Sequence, residues 1–302
     1  MADSEPVPQW PTEPGQDSQA GRRGFALITV IWISGLLAVM AGSFAVSVRS
    51  HTLASANTLY NLRAEYIADG AALLAALRLA QWSAGEPPYA LNGIARGCIW
   101  SGGEEVWIAV QDHGGLVDLN TASPVLLTRL LESLSDSSVD AADLAARIRD
   151  FRDPDSVDGR QQPEEAHYAG LTWRPKDAPF AVPEELDQIP GLTFEQFKSL
   201  RTLVTVQSQQ TGIDPQRAPA RLLTALGIAG GNNPDAIQFS SPSSGRVFGI
   251  ESAVRLKNGS SYVRQTVVSL VRQPGRPYAT LSWQRGLDFP ENPPVASEPC
   301  FN

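Results

Sequence analysis

The longest hydrophobic segment of the chain lies near its N-terminus. Residues 25–48 are all uncharged, with Arg22 and Arg23 before them and Arg49 after them. A helix of that length reaches about 36 Å, which exceeds the roughly 30 Å of bilayer hydrocarbon. A buried core helix seldom runs so far without a polar face, and a secretory signal has a shorter apolar stretch. The pattern predicts a membrane-spanning helix, and the basic pair before it predicts a cytoplasmic N-terminus.

The apolar pattern continues beyond this span at helical spacing. Apolar residues recur every seven positions, alanines lie beside them, and no proline occurs from residue 49 to residue 82. This spacing predicts an amphipathic helix whose lower half lies in the membrane and whose upper half packs on a soluble domain. The heptad positions are Leu53, Tyr60, Ile67 and Leu74, with Ala56, Ala64 and Ala71 beside them.

Short β-prone segments occur on both sides of the middle of the chain. Asn258-Gly259 separates two of them and is a strong hairpin signal, because both residues tolerate a positive φ. An antiparallel sheet is the simplest interpretation. The predicted strands are Glu105–Val110, a segment leading into Asp118, Val247–Leu256, Ser261–Val271 and Tyr278–Trp283.

Between these strands the pattern changes to helical spacing. Helices are predicted over 125–134, over 140–151, from Val182 onward and over 194–203. We therefore predict an inserted α-helical domain at 118–235 that divides the sheet domain in sequence. The other predicted segments are a leader at 1–24, the span at 25–48, a helix and first strands at 49–117, later strands at 236–290 and a tail at 291–302.

Composition narrows the class of protein. The 302 residues carry a net charge of −8, with 24 basic and 32 acidic residues, so no diffuse positive field attracts nucleic acid. The profile also excludes a collagen, a coiled-coil rod and a wholly disordered chain. Cys98 and Cys300 lie in no zinc-binding pattern, and one disulfide between them is compatible with an oxidising compartment.

An acidic loop follows the second predicted helix. Closely spaced carboxylates on a turning loop supply the hard oxygen ligands that Ca²⁺ prefers. The spacing is not that of an EF-hand, since Val157 stands where a ligand belongs. Calcium binding and a solvated acidic loop both remain open from spacing alone. The carboxylates considered are Asp153, Asp155, Asp158, Glu164 and Glu165.

Two further patterns bear on DNA binding and on catalysis. The turn at 189–192, Ile-Pro-Gly-Leu, resembles a helix-hairpin-helix element, but residues 118–206 hold 16 acidic and 9 basic residues, which favours a packing turn over DNA binding. His51, His113 and His167 are scattered and have no evident catalytic partner. With no recognised catalytic motif in the sequence, we do not expect an enzyme.

The junction Arg22-Arg23-Gly24-Phe25 resembles the processing site of type IV prepilins. There a prepilin peptidase cuts after the glycine and methylates the new N-terminal phenylalanine. The resemblance implies cleavage after Gly24 and N-methylation of Phe25, and glycine lets an extended leader lie close to a protease backbone.

Several motifs that follow in order resemble the K subunit of type II secretion, a minor pseudopilin. The resemblance implies an α+β, pilin-like fold, in which a long N-terminal helix packs on an antiparallel sheet that carries a large helical insert of helix-hairpin-helix or SAM-like type. It also implies Ca²⁺ beside that insert, on the five carboxylates named above. The motifs are Val117–Ala122, Ile148–Asp153, Arg174–Phe180, Glu184–Leu186, Pro190–Thr193 and Pro277–Gly286.

One position bears on mechanism. In filament-forming pilins the fifth mature residue is usually Glu, which compensates the N-terminal ammonium of a neighbouring subunit, and here that position is Thr29. An unpaired charge in lipid is costly, so a subunit without this Glu suits a filament tip.

The resemblance implies a non-enzymatic minor pseudopilin that initiates or caps the pseudopilus for protein export. It would be a single-pass inner-membrane protein with its body in the periplasm, and its partners would be other minor pseudopilins and the prepilin peptidase, not nucleic acid. A minor pilin of a type IV pilus is the alternative within this class. A membrane-anchored periplasmic enzyme or DNA-binding protein is the alternative from other classes.

Overall fold

The computed structural model describes residues 19–134, 140–154, 168–228, 234–271, 274–286, 289–290 and 293–300, with backbone alone for 19–24 and 234–236. The chain divides into two compact units, one up to Leu59 and one from Tyr60 onward. We describe each unit by itself.

Helix α1 spans Gln19–Gln81, and its residues up to Leu59 form the first unit. Nearly all side chains of this part from Phe25 onward are exposed. The helix is long and apolar enough to cross a membrane by length and composition.

The second unit is built on a six-stranded sheet. The strands are β1 (Arg96–Ile99), β2 (Glu105–Asp112), β5 (Val247–Arg255), β6 (Ser261–Ser269), β7 (Ala279–Arg285) and β8 (Glu298–Pro299), and their spatial order is β7-β6-β5-β2-β1-β8. All neighbours are antiparallel except β1 and β8. The hairpin predicted at Asn258-Gly259 is confirmed, since Gly259 has φ +87° in the β5–β6 turn.

The last turns of α1 pack on one face of this sheet through small side chains. Alanine side chains are short, so they let a helix approach a sheet closely. Of the positions predicted for this face within the second unit, Ala64, Ile67 and Ala71 are buried, whereas Tyr60 and Leu74 are 43% and 38% exposed. The buried helical positions are Ala64, Ile67, Ala68, Ala71, Ala72, Ala75, Ala76 and Leu79.

Charged side chains hold the same helix to β6. The Arg264 guanidinium donates to Asp69 at 2.6 Å and to Glu65 at 3.0 Å, although its side chain is only 7% exposed. The hydroxyl of Tyr262 also donates to Glu65, at 3.1 Å. Because a buried cation is costly unless it is paired, this arrangement fixes the register of α1 on the sheet.

The opposite face of the sheet is covered by the C-terminal segment. The indole N–H of Trp107 donates to the main-chain oxygen of Pro294 at 2.7 Å, and Phe289 meets the same ring edge to face at 5.3 Å. The chain then reaches the far edge, where β8 pairs with β1. Part of the segment predicted as a tail therefore belongs to the sheet.

A second core lies in the part of the chain between β2 and β5. Its elements are β3 (Val117–Asp118), α2 (Pro124–Glu132), α3 (Ala141–Arg152), a 3₁₀ helix (Pro183–Gln188), α4 (Phe194–Leu200), β4 (Val204–Thr205), α5 (Ala220–Ala225) and α6 (Pro234–Phe239). Buried residues from Val117 to Phe239 form one apolar cluster. The core thus extends beyond the predicted boundary at 235 and includes a parallel β3–β4 pair that the sequence did not indicate.

Local signals account for most of these helices. The Ser123 hydroxyl accepts the N–H of Leu126 at the start of α2, and Thr193 and Gln196 form a capping box at the start of α4. The helix predicted from Val182 is only a short 3₁₀ helix, because Pro190 follows within two residues of its end.

Candidate functional site

The first candidate site is the apolar N-terminal helix. The predicted processing residues Gly24 and Phe25 are consecutive residues of α1. The hydroxyl of Thr29 lies 2.9 Å from the main-chain oxygen of Ala26 and 3.2 Å from that of Phe25. The Thr29 hydroxyl is therefore satisfied inside its own helix, as a hydrocarbon environment would require.

The second candidate site is the acidic loop after α3. Asp153 is the C-cap residue that follows Arg152, the last residue of α3. One of its carboxylate oxygens lies 3.8 Å from Nε of Arg149. Among the described residues, no group of three His, Cys, Asp or Glu side chains lies together as a metal site. The other four predicted ligands, Asp155, Asp158, Glu164 and Glu165, lie outside the described residues.

The third feature is the cysteine pair. Cys98 of β1 and Cys300, next to β8, form a disulfide with their Cα atoms 4.7 Å apart. Two open cavities lie beside Cys300. One has a volume of about 510 Å³ and is lined by Arg78, Tyr89 and Arg96, and the other has a volume of about 590 Å³ and is lined by Leu74 and Trp100. The bridge holds the C-terminal segment at the β1 edge of the sheet.

The two connections between the sheet and the inserted core meet in a polar junction. The carboxylate of Asp112, at the end of β2, accepts the N–H of Gly114 at 2.9 Å and the hydroxyl of Ser243 at 2.8 Å. The N–H of Ser243 in turn donates to Asp214 at 2.9 Å. Burial raises the pKa of Asp112, against the lowering effect of the Gly114 and Ser243 hydrogen bonds.

Two glycines leave room for close contacts in this junction, one with a backbone and one with a side chain. A Cβ on Gly115 would lie 2.2 Å from the main-chain oxygen of Arg217. One on Gly114 would lie 2.3 Å from the Ser243 hydroxyl. The outgoing and returning segments are therefore bound to each other and to the insert.

A second polar group lies just inside the insert. The fully buried carboxylate of Asp118 accepts the N–H groups of Asn120 and Gln209, both at 2.8 Å, and the hydroxyl of Ser208 at 3.1 Å. Arg152, at the end of α3, donates to the main-chain oxygens of Leu119 and Ala122. The start of the acidic loop is thus tied to the entrance of the insert.

No pattern in the sequence predicts the hydrogen-bonded groups around Asp112 and Asp118. Their members come from segments up to 131 residues apart, so no local spacing relates them. Asp118 and Arg152 lie within motifs that carried the sequence resemblance, which was their only signal.

His113 begins the 3₁₀ helix after β2. Its Nδ1 lies 2.7 Å from the hydroxyl oxygen of Thr205, and its side chain is buried. Burial lowers the pKa of His113 to about 4. His51 lies on α1, and His167 lies outside the described residues.

The turn at 189–192 makes packing contacts. Ile189 is buried in the insert core, Leu192 packs against that core, and Gly191 has φ +86°. The main-chain oxygen of Pro190 accepts a hydrogen bond from Arg147 at 2.7 Å.

Comparison with known proteins assigns part of this chain. Residues 109–209 match the family model described as type II secretion system, protein K. A chain from the solved structure of the GspK-GspI-GspJ complex of the enterotoxigenic Escherichia coli type 2 secretion system aligns over 80% of this chain and 99% of its own length, with 17% identity and a TM-score of 0.51. This structural likeness confirms the predicted α+β, pilin-like fold. No curated protein matches the chain.

The burial of His113 predicts a pH dependence of stability. A His with a folded pKa of about 4 against an unfolded value of 6.5 stays neutral in the fold, so the unfolded state takes up a proton first as the pH falls. The contribution of His113 to the free energy of unfolding is fully present above pH 6.5, and it decreases by about 3 kcal/mol as the pH falls towards 4. We expect His113→Asn to remove this slope in chemical unfolding.

Asp112 is present in both proteins, and its raised pKa makes the free energy of unfolding fall as the pH rises, opposite to the effect of His113. The difference in pH dependence between wild type and variant therefore reports on His113 alone. Equal pH slopes for the two proteins would show that His113 titrates normally.

Proposed function

We infer that the protein is a non-enzymatic minor pseudopilin of type II secretion, and the match of residues 109–209 to the family model described as type II secretion system, protein K, supports this. In this proposal it lies at the tip of the pseudopilus and initiates or caps the fibre that exports proteins across the outer membrane. The observation that carries the proposal is the match of residues 109–209, because that segment includes the end of β2 and the larger part of the helical core that lies between β2 and β5.

The apolar helix supports a place in the inner membrane. In the proposal, α1 crosses the membrane once and the body from residue 60 onward lies in the periplasm. The disulfide between Cys98 and Cys300 supports that orientation, since disulfides persist in oxidising compartments. Other minor pseudopilins are the proposed partners, and the solved complex of GspK with GspI and GspJ supports them.

The insert supports the position at the tip. Both of its connections leave the same end of the neighbouring strands β2 and β5, where Asp112 pairs with Phe248. A helical core of this size, held at that end by the Asp112 junction, would occupy the space that a further subunit needs above a pilin-like sheet. The sheet domain below it stays free to join the fibre.

Thr29 supports the same position. Its hydroxyl needs no partner from another subunit, because it is satisfied by main-chain oxygens of α1. A carboxylate there would need the ammonium of a neighbouring subunit, and the last subunit at a tip has none above it.

Processing by a prepilin peptidase is the first test. The mature protein is expected to start at N-methylated Phe25, leaving 278 of the 302 residues. Intact mass and N-terminal sequencing of protein from cells with and without the peptidase would measure this. Gly24→Val should block cleavage, whereas Gly21→Val in the same leader should not. Retention of residues 1–24 in both strains would reject the pseudopilin assignment.

The charge at position 29 tests the tip role. In cells that lack the wild-type gene, Thr29→Glu should restore export of a secreted protein poorly, since an unpaired charge at the centre of a membrane helix costs about 2.5–3.5 kcal/mol or more. Thr29→Gln, with a similar shape and no charge, should restore it well. Export measured in the culture medium would decide between them.

Two results would contradict the tip role. One is full export with Thr29→Glu, and the other is normal fibres and export in the deletion strain.

We further propose that the acidic loop binds Ca²⁺. The donor set fits the ion, because Asp153, Asp155, Asp158, Glu164 and Glu165 offer hard carboxylate oxygens on one loop. A bound Ca²⁺ would offset part of this negative charge beside Asp153, which follows Arg152 and its contacts with the insert entrance.

Calcium should therefore stabilise the insert. At 100 times its dissociation constant, the ion adds about 2.7 kcal/mol, which raises the melting temperature by about 5–10 °C. Asp155→Asn should weaken Ca²⁺ binding at least about tenfold. Asp187→Asn removes an exposed carboxylate elsewhere in the insert and should leave it unchanged.

Calorimetric titration and thermal unfolding with Ca²⁺ or a chelator would measure both effects. Identical unfolding in both conditions would leave the loop as a solvated acidic segment.

A further inference from the structure

The two edges of the main sheet differ. The β1 edge is covered by β8, which the Cys98–Cys300 disulfide holds in place. At the other edge, β7 pairs with β6, and no strand among the described residues pairs with its outer side. An unpaired strand presents main-chain donors and acceptors to another chain, and proteins normally cover or interrupt such edges.

One half of the β7 edge is regular enough for pairing. The register with β6 shifts between Val267 and Val268, whereas residues Ser282–Arg285 pair with β6 without interruption. The N–H of Gly286 donates to the main-chain oxygen of Val263. By the alternation of an antiparallel ladder, Trp283 and Arg285 direct their N–H and C=O groups away from β6. These groups are available at the open edge.

The side chains along this edge are apolar and basic. Leu281 and Trp283 are 47% and 39% exposed, and the guanidinium of Arg264 lies 5.1 Å from the centre of the Trp283 ring. Arg285 is exposed and lies over Tyr262 at 5.0 Å. Arg276 is exposed as well.

The charge of this segment is opposite to that of the whole chain. Residues 270–286 contain three arginines and no acidic residue, in a protein of net charge −8. The carboxylates of Glu65 and Asp69, which lie on the same side of the sheet, are already held by Arg264. The edge therefore favours an acidic partner.

We propose that the open edge of β7, over Ser282–Arg285, accepts an extended strand of another protein that carries acidic side chains. Main-chain hydrogen bonds to Trp283 and Arg285 supply the pairing, and Arg285 selects the charge. This inference rests on the sheet alone and does not depend on the proposed place in a filament.

The probe is a capped peptide, Thr-Glu-Val-Glu-Val-Glu-Thr, added to the full-length protein in detergent micelles. A matched peptide replaces each Glu by Lys. Hydrogen exchange of main-chain amides, followed by mass spectrometry, should show the amides of Trp283 and Arg285 slowed by about tenfold at 1 mM of the acidic peptide, which corresponds to a dissociation constant of about 0.1 mM. The basic peptide should leave them unchanged.

Variants at Arg285 separate the main-chain contact from the charge. Arg285→Ala keeps the outward N–H and should weaken binding of the acidic peptide about threefold, as for an exposed ion pair. Arg285→Pro lacks that N–H as well and should weaken binding by a further factor of about five. Arg285→Glu should reverse the preference between the two peptides, and as an exposed substitution it serves if the proline variant does not fold.

Three results would overturn the proposal. The first is unchanged exchange at Trp283 and Arg285 with the acidic peptide. The second is equal slowing by both peptides, and the third is an Arg285→Glu variant with the wild-type preference.

Discussion

The close contact between the alanine face of α1 and the sheet determines the arrangement of the second unit. Alanines at positions such as Ala68, Ala71 and Ala75 are fully buried, and larger side chains there would force the helix away from the strands. The contact uses one face of the sheet, and Arg264 sets its register through Glu65 and Asp69. The C-terminal segment covers the other face of the sheet, and the insert is joined to the ends of the central strands β2 and β5.

The insert connections carry polar groups where a flexible linker would also have been possible. Asp112, Ser243 and Asp214 link the outgoing strand, the returning segment and the insert through hydrogen bonds of 2.8–2.9 Å. Gly115 lets the backbone approach that of Arg217, and Gly114 leaves room for the Ser243 side chain. The Asp112 carboxylate is buried and is satisfied by these hydrogen bonds, so the junction favours one orientation of the insert on the sheet.

The sequence predicts the parts of this fold whose signals are local. The Asn258-Gly259 hairpin and the helices α2, α3 and α4 follow from turn chemistry, capping and periodicity. Pairings between distant segments have no such signal: β3 with β4, β8 with β1, and Asp112 with Ser243 were not predicted. The heptad pattern of α1 identifies Ile67 and the neighbouring alanines as packed, but it also includes Tyr60 and Leu74, which are exposed because the helix meets the sheet mainly through small side chains. Of the candidate site, Thr29 and Asp153 could be located, and four proposed calcium ligands lie outside the described residues.

The disulfide has a topological consequence. Cys98 and Cys300 are 202 residues apart, and the segment between them includes the whole insert and most of the sheet. Residues 98–300 therefore form a covalently closed ring, and the chain before Cys98, including α1, continues from that ring at one covalent point. A protease that cuts any single peptide bond inside the ring produces no separate fragments, because both new ends stay joined through sulfur. The insert can be nicked, even in its acidic loop, without its pieces leaving the sheet that holds them.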